Sequence, residues 1–213
     1  VRIIDEKGID ELKRRILANL EDLYKMLEWN EENGIRVFRL SSELFQHKTN
    51  PKVPDYTYDF ALQHLKKIGD YALEKGHRLT FHPGQYNVLA SISEKAYLQT
   101  LKDLEYHADV LDMMGLPKDS VMVIHGGGVY GDKEKTMERW CENYRKLPEK
   151  IKNRLVLENC EKSYSIHDTL RIHDMTGIPL VFDTHHFECY KLLHKDETFL
   201  AVSYTHLTLP TNC

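Results

Sequence analysis

The stretch Val121-Met-Val-Ile-His-Gly-Gly-Gly128 decides the fold class of this 213-residue chain. Its apolar residues form a short run of the kind that predicts a strand buried on both faces. The preceding residues, 94–114, are charged with apolar residues three and four apart, which predicts an amphipathic helix ending at Gly115. A histidine, which is a common metal ligand, follows the apolar run directly. The stretch therefore predicts a helix and a buried strand that delivers a functional group at its C-terminal end.

The same succession of helix and strand occurs five times along the chain. Helices are predicted over residues 10–33, 58–75, 94–114, 133–151 and 166–175, and strands over residues 35–40, 78–81, 120–124, 154–157 and 178–182. Pro148 is expected to end the fourth helix early. The first helix is expected to bury an apolar side made of Leu12, Ile16, Leu20, Leu23, Leu27 and Trp29. Helices that alternate with apolar strands predict an α/β fold with a parallel sheet, and no linker divides it, so residues 1–200 are predicted to form one domain.

Composition limits the classes of function. The formal charge of −4 gives no support to a non-specific nucleic-acid binder, so any affinity for DNA has to come from a local surface. None of the four cysteines lies in a CxxC pair, which favours a reducing, intracellular setting. No apolar run approaches the roughly 18 residues of a membrane span, and no signal peptide opens the chain. Residues 201–213 have no helical face and are predicted to be a non-native or disordered tail.

Polar side chains follow all five predicted strands at the point where each strand ends. The segments are Ser41-Ser42-Glu43, His82-Pro83-Gly84-Gln85-Tyr86, His125, Glu158-Asn159 and Asp183-Thr184-His185-His186. In a parallel barrel these ends share one face, which is where barrel active sites lie. Each residue alone has an ordinary explanation, such as a rim hydrogen bond or, for Glu158, a helix cap. Because five strand ends coincide, they predict a metal site, and imidazole with carboxylate suits manganese, zinc or iron.

Three of these segments leave alternatives open. Neighbouring side chains of an extended segment point to opposite sides, so Asp183 is paired with His186, and His185 is expected to stand behind the ligands. Residues 126–128 are either a tight glycine turn or a loop that admits a phosphate backbone. Gln85 and Tyr86 either pack within their loop or stack against a displaced base.

Together these motifs resemble those of the UV damage endonuclease family. The matching segments lie in order over about residues 10–190: Asn19-Leu-Glu-Asp-Leu23, Leu27-Glu-Trp-Asn30, Phe38-Arg-Leu-Ser-Ser42, Phe81-His-Pro-Gly-Gln-Tyr86, Ile124-His-Gly-Gly-Gly128, Tyr130-Gly-Asp-Lys133, Leu157-Glu-Asn159 and Val181-Phe-Asp-Thr-His-His186. The resemblance implies a TIM (β/α)8 barrel, of which this chain holds about five of eight strands. It also implies an endonuclease that incises double-stranded DNA 5′ to ultraviolet photoproducts, with two or three divalent metal ions, typically manganese.

The resemblance also implies roles for particular residues. The implied metal ligands are His82, His125, Glu158, Asp183 and His186, with Glu158 bridging two ions and with Glu158 and His125 as the catalytic pair. Gln85 and Tyr86 correspond to the residues that enter the duplex at the lesion. Further expected DNA contacts are Ser41, Ser42, Asn50, Gly126, Gly127, Tyr130 and Lys133. No membrane and no obligate protein partner is implied, and the expected location is the cytoplasm or nucleoid.

The chain departs from the family pattern in two respects. Asn50 stands where the family has a histidine before proline, and nearby His47 could take that histidine's place. The family's first strand and last two strands are missing, and with them a modified lysine, further histidines and a second bridging glutamate. We therefore expect this chain to carry about half of the ligand set and little activity of its own. The alternatives are an inactive fragment or another metal-dependent barrel enzyme, of the apurinic endonuclease or sugar isomerase type.

Overall fold

The computed structural model describes residues 2–194, in which helices and strands alternate along the chain. The helices are α1 (Arg2–Glu32), α2 (Leu62–Lys75), α3 (Glu94–Met113), α4 (Lys133–Arg145), α5 (Glu149–Lys152), α6 (Ile166–Thr176) and α7 (Thr184–Leu193). A 3-10 helix, Asp59–Ala61, precedes α2. The strands are β1 (Val37–Leu40), β2 (Arg78–Phe81), β3 (Met122–His125), β4 (Leu155–Glu158) and β5 (Leu180–Val181). This order confirms the predicted α/β class.

These residues form two compact units. The first runs to His82 and includes Glu105–Val121, and the second contains Pro83–Leu104 and the residues from Met122 onward. The statement that residues 1–200 form one domain therefore stays a prediction. The tail predicted at residues 201–213 lies outside the described residues. Within the described part of the chain, no helix combines the length and apolar character that crossing a membrane requires.

In the first unit, β1 pairs with β2 in parallel, with Val37 opposite Arg78 and Leu40 opposite Phe81. The expected apolar side of α1 is buried at Leu12, Ile16, Leu20, Leu23 and Leu27. The expectation for Trp29 was wrong, because its side chain is 57% exposed. Trp29 is only two residues after Leu27, so it points away from the face that Leu27 buries.

Close packing in this unit depends on a glycine inside α2. A Cβ atom at Gly69 would lie 1.7 Å from the carbonyl oxygen of Met114, a backbone atom that cannot move aside like a flexible side chain. The absence of a side chain therefore lets α2 approach the backbone at the end of α3. Gly76 ends α2 in the left-handed conformation, and its N–H bonds to the carbonyls of Ala72 and Leu73.

The second unit holds three parallel strands. β3 pairs with β4, with Met122 opposite Leu155 and His125 opposite Glu158, and β4 pairs with β5. The strands β3 and β4 are almost completely buried, as expected for apolar strands covered on both faces. β3 and β4 each extend one residue beyond the predicted strand, so His125 and Glu158 are the last residues of strands rather than the first residues of loops.

Two helices differ from the sequence prediction. The predicted helix over residues 133–151 is divided into α4, which ends early at Arg145 as expected for a helix followed by Pro148, and α5, of which Pro148 is the N-cap. His185 and His186, which were expected in an extended segment, lie instead in the helix α7. Asp183 is the N-cap that begins α7, a signal that a ligand-centred interpretation of this aspartate overlooks.

Candidate functional site

The pairing of β3 with β4 brings His125 and Glu158 together. They are register partners at the ends of the two strands, and His125 Nε2 lies 3.3 Å from Glu158 Oε2. The Glu158 side chain is only 3% exposed, whereas the His125 side chain is 25% exposed. A carboxylate this deeply buried is costly unless a positive group or hydrogen bonds compensate its charge. The imidazole beside it is one such group, and a cation would be another.

A second pair of side chains reaches the same carboxylate from the start of α7. Glu158, Asp183 and His186, called the metal group below, each offer a ligand atom within 4.8 Å of the other two. His186 Nδ1 lies 3.7 Å from Glu158 Oε2 and 3.7 Å from Asp183 Oδ2. The helical turn from Asp183 to His186 produces this arrangement, since residues three apart lie on the same side of a helix.

Asp183 has a structural role as well as a possible ligand role. Its Oδ1 accepts a hydrogen bond of 2.8 Å from the His186 N–H and so caps α7. This bond leaves Oδ2 as the oxygen that lies beside the His186 ring. His185 is not in the metal group, and its Nε2 lies 3.7 Å from Cys189 Sγ. The preference for His186 over His185 agrees with this geometry, although the reason given for it, an extended segment, was wrong.

Asn159 holds the start of α7 against the end of β4. Its Nδ2 donates to the Asp183 carbonyl at 2.9 Å, and its Oδ1 accepts from the Asp183 N–H at 2.8 Å. The His186 Nδ1 lies 3.0 Å from the Asn159 carbonyl, which can only accept, so a hydrogen bond here needs the proton on Nδ1 and leaves Nε2 as the ring nitrogen for a ligand role. Sequence reasoning missed this role, although the placement of Asn159 directly after Glu158 was the available signal.

The donor set fits a divalent cation. Two carboxylates and an imidazole converge, a second imidazole, that of His125, stands opposite Glu158, and a backbone carbonyl fixes the tautomer of His186. Mixed imidazole and carboxylate ligands with an orienting outer hydrogen bond are typical of Mn²⁺, Zn²⁺ and Fe²⁺ sites. Within the second unit, Glu158, Asp183 and His186 could therefore hold a divalent metal ion.

His82 belongs to the first unit and directly follows β2. Its carbonyl accepts a hydrogen bond of 2.8 Å from Ser42 Oγ, and the Ser42 carbonyl accepts one of 3.1 Å from the Tyr106 hydroxyl. Ser42 thus fixes the backbone that carries His82, a contact the sequence did not predict. Ser41 is exposed, and its Oγ accepts from the Glu43 N–H within a turn. The ligand role of His82 and the DNA roles of both serines stay predictions.

Asn50 lies in the loop after β1. Its Oδ1 accepts a hydrogen bond from the Lys52 N–H at 3.0 Å, so the side chain stabilises a local turn. Nearby His47 is exposed and has a positive φ of 61°. Lys48 anchors this loop, since its Nζ lies 2.6 Å from Asp55 Oδ1 and over the rings of Tyr56 and Tyr58. A DNA contact by Asn50 stays a prediction, as does a replacement role for His47.

Gln85 and Tyr86 project from a well-anchored loop in the second unit. Both side chains are exposed, and Tyr86 is 85% exposed. The next residue, Asn87, is buried and donates from Nδ2 to the Gly84 carbonyl at 3.0 Å and to Asp103 Oδ2 at 2.6 Å. Packing within the loop does not explain so exposed a tyrosine, and the ordinary explanation for Tyr86 is therefore weakened.

Further contacts hold the rest of this loop. The Thr100 hydroxyl accepts from the Val88 N–H, Asn143 Nδ2 donates to the Leu89 carbonyl, and Arg139 Nε donates to the Ala90 carbonyl. Side chains of α3 and α4 thus fix the loop backbone after Tyr86. The Gln85–Tyr86 turn therefore projects from a loop whose following backbone is fixed by these hydrogen bonds.

Gly126 and Gly127 have packing reasons of their own. A Cβ atom at Gly126 would lie 2.6 Å from two ring atoms of Tyr164, and one at Gly127 would lie 2.6 Å from Val88 Cγ1. Gly127 also has a positive φ of 86°, where other residues are strained. Their predicted contacts with DNA stay predictions, but neither glycine needs DNA to explain it.

Lys133 is engaged inside the unit. Its Nζ lies 2.6 Å from Asp168 Oδ2 and 3.5 Å from the Tyr190 hydroxyl. Burial lowers the pKa of the Lys133 ammonium, but the hydrogen bonds and charges of Asp168 and Tyr190 together outweigh burial, and the pKa is raised overall. Tyr130 is 43% exposed, has a φ of 47°, and its ring lies 5.6 Å from Arg139 Cζ. The predicted DNA roles of Lys133 and Tyr130 remain predictions, and Lys133 has a clear structural alternative.

A cleft of about 310 Å³ in the second unit is lined by both Gln85 and His125. Its walls come from the loop around Gln85, from the end of β3 with His125, and from residues 160–163 after β4. Gln85 of the exposed turn and His125, which lies beside the buried carboxylate of Glu158, thus line the same space.

Residues 3–208 match the model of the family described as UV-endonuclease UvdE. The chain belongs to this family. It is 42% identical over 204 residues to a UV-damage endonuclease of Neurospora crassa, an alignment that covers 93% of this chain and 31% of that protein. The first two curated relatives are matched over 58% and 31% of their own lengths, so the chain spans about a third to just over half of them.

Two solved structures place the fold. The crystal structure of SacUVDE is similar with a TM-score of 0.80 and 35% identity, over 89% of this chain and 68% of that one. Endonuclease IV from Thermus thermophilus matches with a TM-score of 0.55 at 14% identity, over 82% of this chain and 63% of that one, which shows a shared fold alone. The predicted incomplete TIM barrel is confirmed, with five strands within the described residues.

Proposed function

We propose that the full-length protein containing this chain is a metal-dependent endonuclease that incises double-stranded DNA on the 5′ side of ultraviolet photoproducts. The observation that carries the proposal is the metal group at the end of β4, in a chain that belongs to the UvdE family. The proposed partner is duplex DNA with a photoproduct, the proposed ion is Mn²⁺, and no protein partner is invoked. The proposed location is the cellular compartment that contains the DNA.

The metal group and His125 would hold the ions. Glu158, buried beside the imidazoles of His125 and His186, would bridge two of them. Asp183 keeps Oδ2 for a ligand role while Oδ1 caps α7, and His186 is turned by the Asn159 carbonyl. Bound divalent ions would supply a water acidic enough to attack phosphorus and would neutralise charge on the phosphate. We include His82 as a further ligand by family resemblance alone.

The Gln85–Tyr86 turn would detect the lesion. An exposed aromatic ring can stack on a base or fill the space of a displaced one, which is easier to create where a photoproduct already distorts pairing. The held backbone after Tyr86 lowers the entropic cost of inserting the turn, because little further ordering is needed. Ser41, Ser42, Asn50, Gly126, Gly127, Tyr130 and Lys133 complete the proposed DNA contacts.

The test uses the full-length protein and three duplexes of one sequence: undamaged, with one cyclobutane dimer, and with one abasic site. We expect incision 5′ to the dimer in Mn²⁺, loss of incision in a chelator, and recovery when Mn²⁺ is added back. Equal cutting of the undamaged duplex would contradict damage recognition. Cutting of the abasic duplex alone would instead favour an enzyme of the apurinic endonuclease type.

A further inference from the structure

The ring of Tyr164 lies directly against the backbone that follows His125. A Cβ atom at Gly126 would lie 2.6 Å from the ring atoms Cγ and Cδ2 and 2.8 Å from Cε2. Real Cβ atoms essentially never approach so closely, so the ring leaves room at position 126 for glycine only. Gly126 is bonded to His125, whose Nε2 lies 3.3 Å from the Glu158 carboxylate. Any shift that a side chain at position 126 caused would therefore reach His125.

The loop after β4 fixes the position of this ring. Cys160 Sγ accepts hydrogen bonds from the N–H groups of Ser163 and Tyr164, at 3.2 and 3.1 Å. The Cys160 N–H in turn donates to the Tyr164 carbonyl at 3.0 Å. Tyr164 is fully buried at 0% exposure. The turn thus links the loop that follows Glu158 to the backbone that follows His125.

The hydroxyl of Tyr164 contributes nothing visible to this arrangement. It is buried and has no hydrogen-bond partner among the described residues. Burial raises the pKa of the Tyr164 hydroxyl well above its ordinary value, so the group stays neutral. A buried hydroxyl without a partner lowers stability rather than raising it. The ring, and not the hydroxyl, is therefore the part that the neighbouring backbone uses.

We infer that Tyr164 is a positioning residue, whose ring holds the Gly126 backbone and thereby sets the distance between His125 and Glu158. This inference rests on the metal binding in the proposed function. Neither Tyr164 nor Gly126 is a metal ligand in this role, which is separate from the DNA contact proposed for Gly126. Their effect is on how well two opposing side chains are prearranged to share a cation.

The test measures binding of Co²⁺ alone to the metal-free full-length protein, by titration calorimetry and by the visible absorption of the bound ion. Gly126→Ala is expected to weaken Co²⁺ binding by about tenfold or more, the usual range for substitutions behind metal ligands, and to change the absorption spectrum. Gly128→Ala is the matched control, since a Cβ atom there would meet only the Tyr130 ring, at 3.8 Å. It should leave both readouts unchanged.

A rescue distinguishes positioning from a general loss of stability. Tyr164→Leu combined with Gly126→Ala makes room for the added methyl group, so the double variant should bind Co²⁺ more tightly than Gly126→Ala alone. Tyr164→Phe keeps the ring and should bind Co²⁺ as the wild type does. If Gly126→Ala does not fold, Tyr164→Leu decides: because it removes the ring, a loss of Co²⁺ affinity of about threefold or more supports the inference, and a smaller change overturns it.

Three results would overturn the inference: equal affinities for Gly126→Ala and Gly128→Ala, no gain in the double variant, or a loss in Tyr164→Phe. Failure of the proposed function looks different. A wild-type protein that binds Co²⁺ but leaves dimer-containing DNA uncut would remove the proposed activity and leave the positioning role intact.

Discussion

The metal group and the Gln85–Tyr86 turn belong to the same unit and are built in opposite ways. The carboxylate of Glu158 is almost completely buried and lies beside two imidazoles, whereas the ring of Tyr86 is 85% exposed. Burying a cluster of charged groups has a large desolvation cost, which a bound cation would offset. Exposing an aromatic ring to water is unfavourable, but a ring on a loop fixed by hydrogen bonds is available to stack on a base. This difference underlies the proposal that the first region binds metal ions and that the second recognises damaged DNA.

The largest effect is expected at Glu158. Glu158→Gln keeps the shape of the side chain but removes its charge, so metal affinity and incision should both fall by about 100-fold or more, at or beyond the upper range for outer-sphere substitutions. Metal content by mass spectrometry and a single-turnover incision assay measure the two effects. Glu161→Gln, in the next loop and lining the cleft, is the control and should change neither. Normal metal affinity in Glu158→Gln would remove Glu158 from the ligands.

The next effect should separate the two regions. Replacing Gln85 and Tyr86 together by alanine should lower the preference for dimer-containing over undamaged duplex by about tenfold or more, since stacking on a base contributes about 1–3 kcal/mol. Metal affinity should not change. Ile92→Ala, also exposed and in the same connection between β2 and α3, is the control. A loss of metal affinity in the double variant would show that the regions are not independent.

Sequence patterns predicted the part of the fold that depends on periodicity. β2 was predicted at its observed bounds, and Gly76 and Gly177 end α2 and α6 as glycine should. The patterns failed at α7, where a polar segment, Asp183 to His186, was interpreted as ligands on an extended chain. Its aspartate is an N-cap, and capping and metal binding call for the same residue type.

The candidate site was predictable by residue type but not by its supporting contacts. Glu158, Asp183 and His186 stand where strand ends predict them, because parallel strands bring their C-terminal ends to one edge. The two hydrogen bonds of Asn159 to the Asp183 backbone depend on how β4 and β5 are placed in space. No spacing in the sequence encodes that placement, and the same holds for the contact between Tyr164 and Gly126.

A smaller effect tests whether damage recognition requires the hydrogen bonds that fix the backbone next to the Gln85–Tyr86 turn. Asn87→Ala removes the hydrogen bonds to the Gly84 carbonyl and to Asp103, which should cost about 1–2 kcal/mol of unfolding free energy. Damage preference should fall less than in the Gln85 and Tyr86 double variant. Asn143→Ala, which loses a bond to the Leu89 carbonyl farther along the loop, is the matched control. Equal preference in both variants would mean that rigidity next to the turn has no role in recognition.

The smallest effect concerns Lys133. The family resemblance implies that its side chain contacts DNA, whereas in the structure it forms an ion pair with Asp168. Lys133→Met should lower the unfolding free energy by about 1 kcal/mol, a typical upper value for a partly exposed ion pair. The salt dependence of DNA binding should match that of the control Lys135→Met, whose side chain is 79% exposed. A decrease of about one in the slope of log affinity against log salt would restore the DNA contact.

Anomalous scattering at the manganese edge, from crystals of the full-length protein grown with Mn²⁺, locates the ion most directly. We expect a peak within bonding distance of a carboxylate oxygen of Glu158, and of Asp183 and His186. A peak elsewhere, with none beside Glu158, would contradict a metal centre at the end of β4.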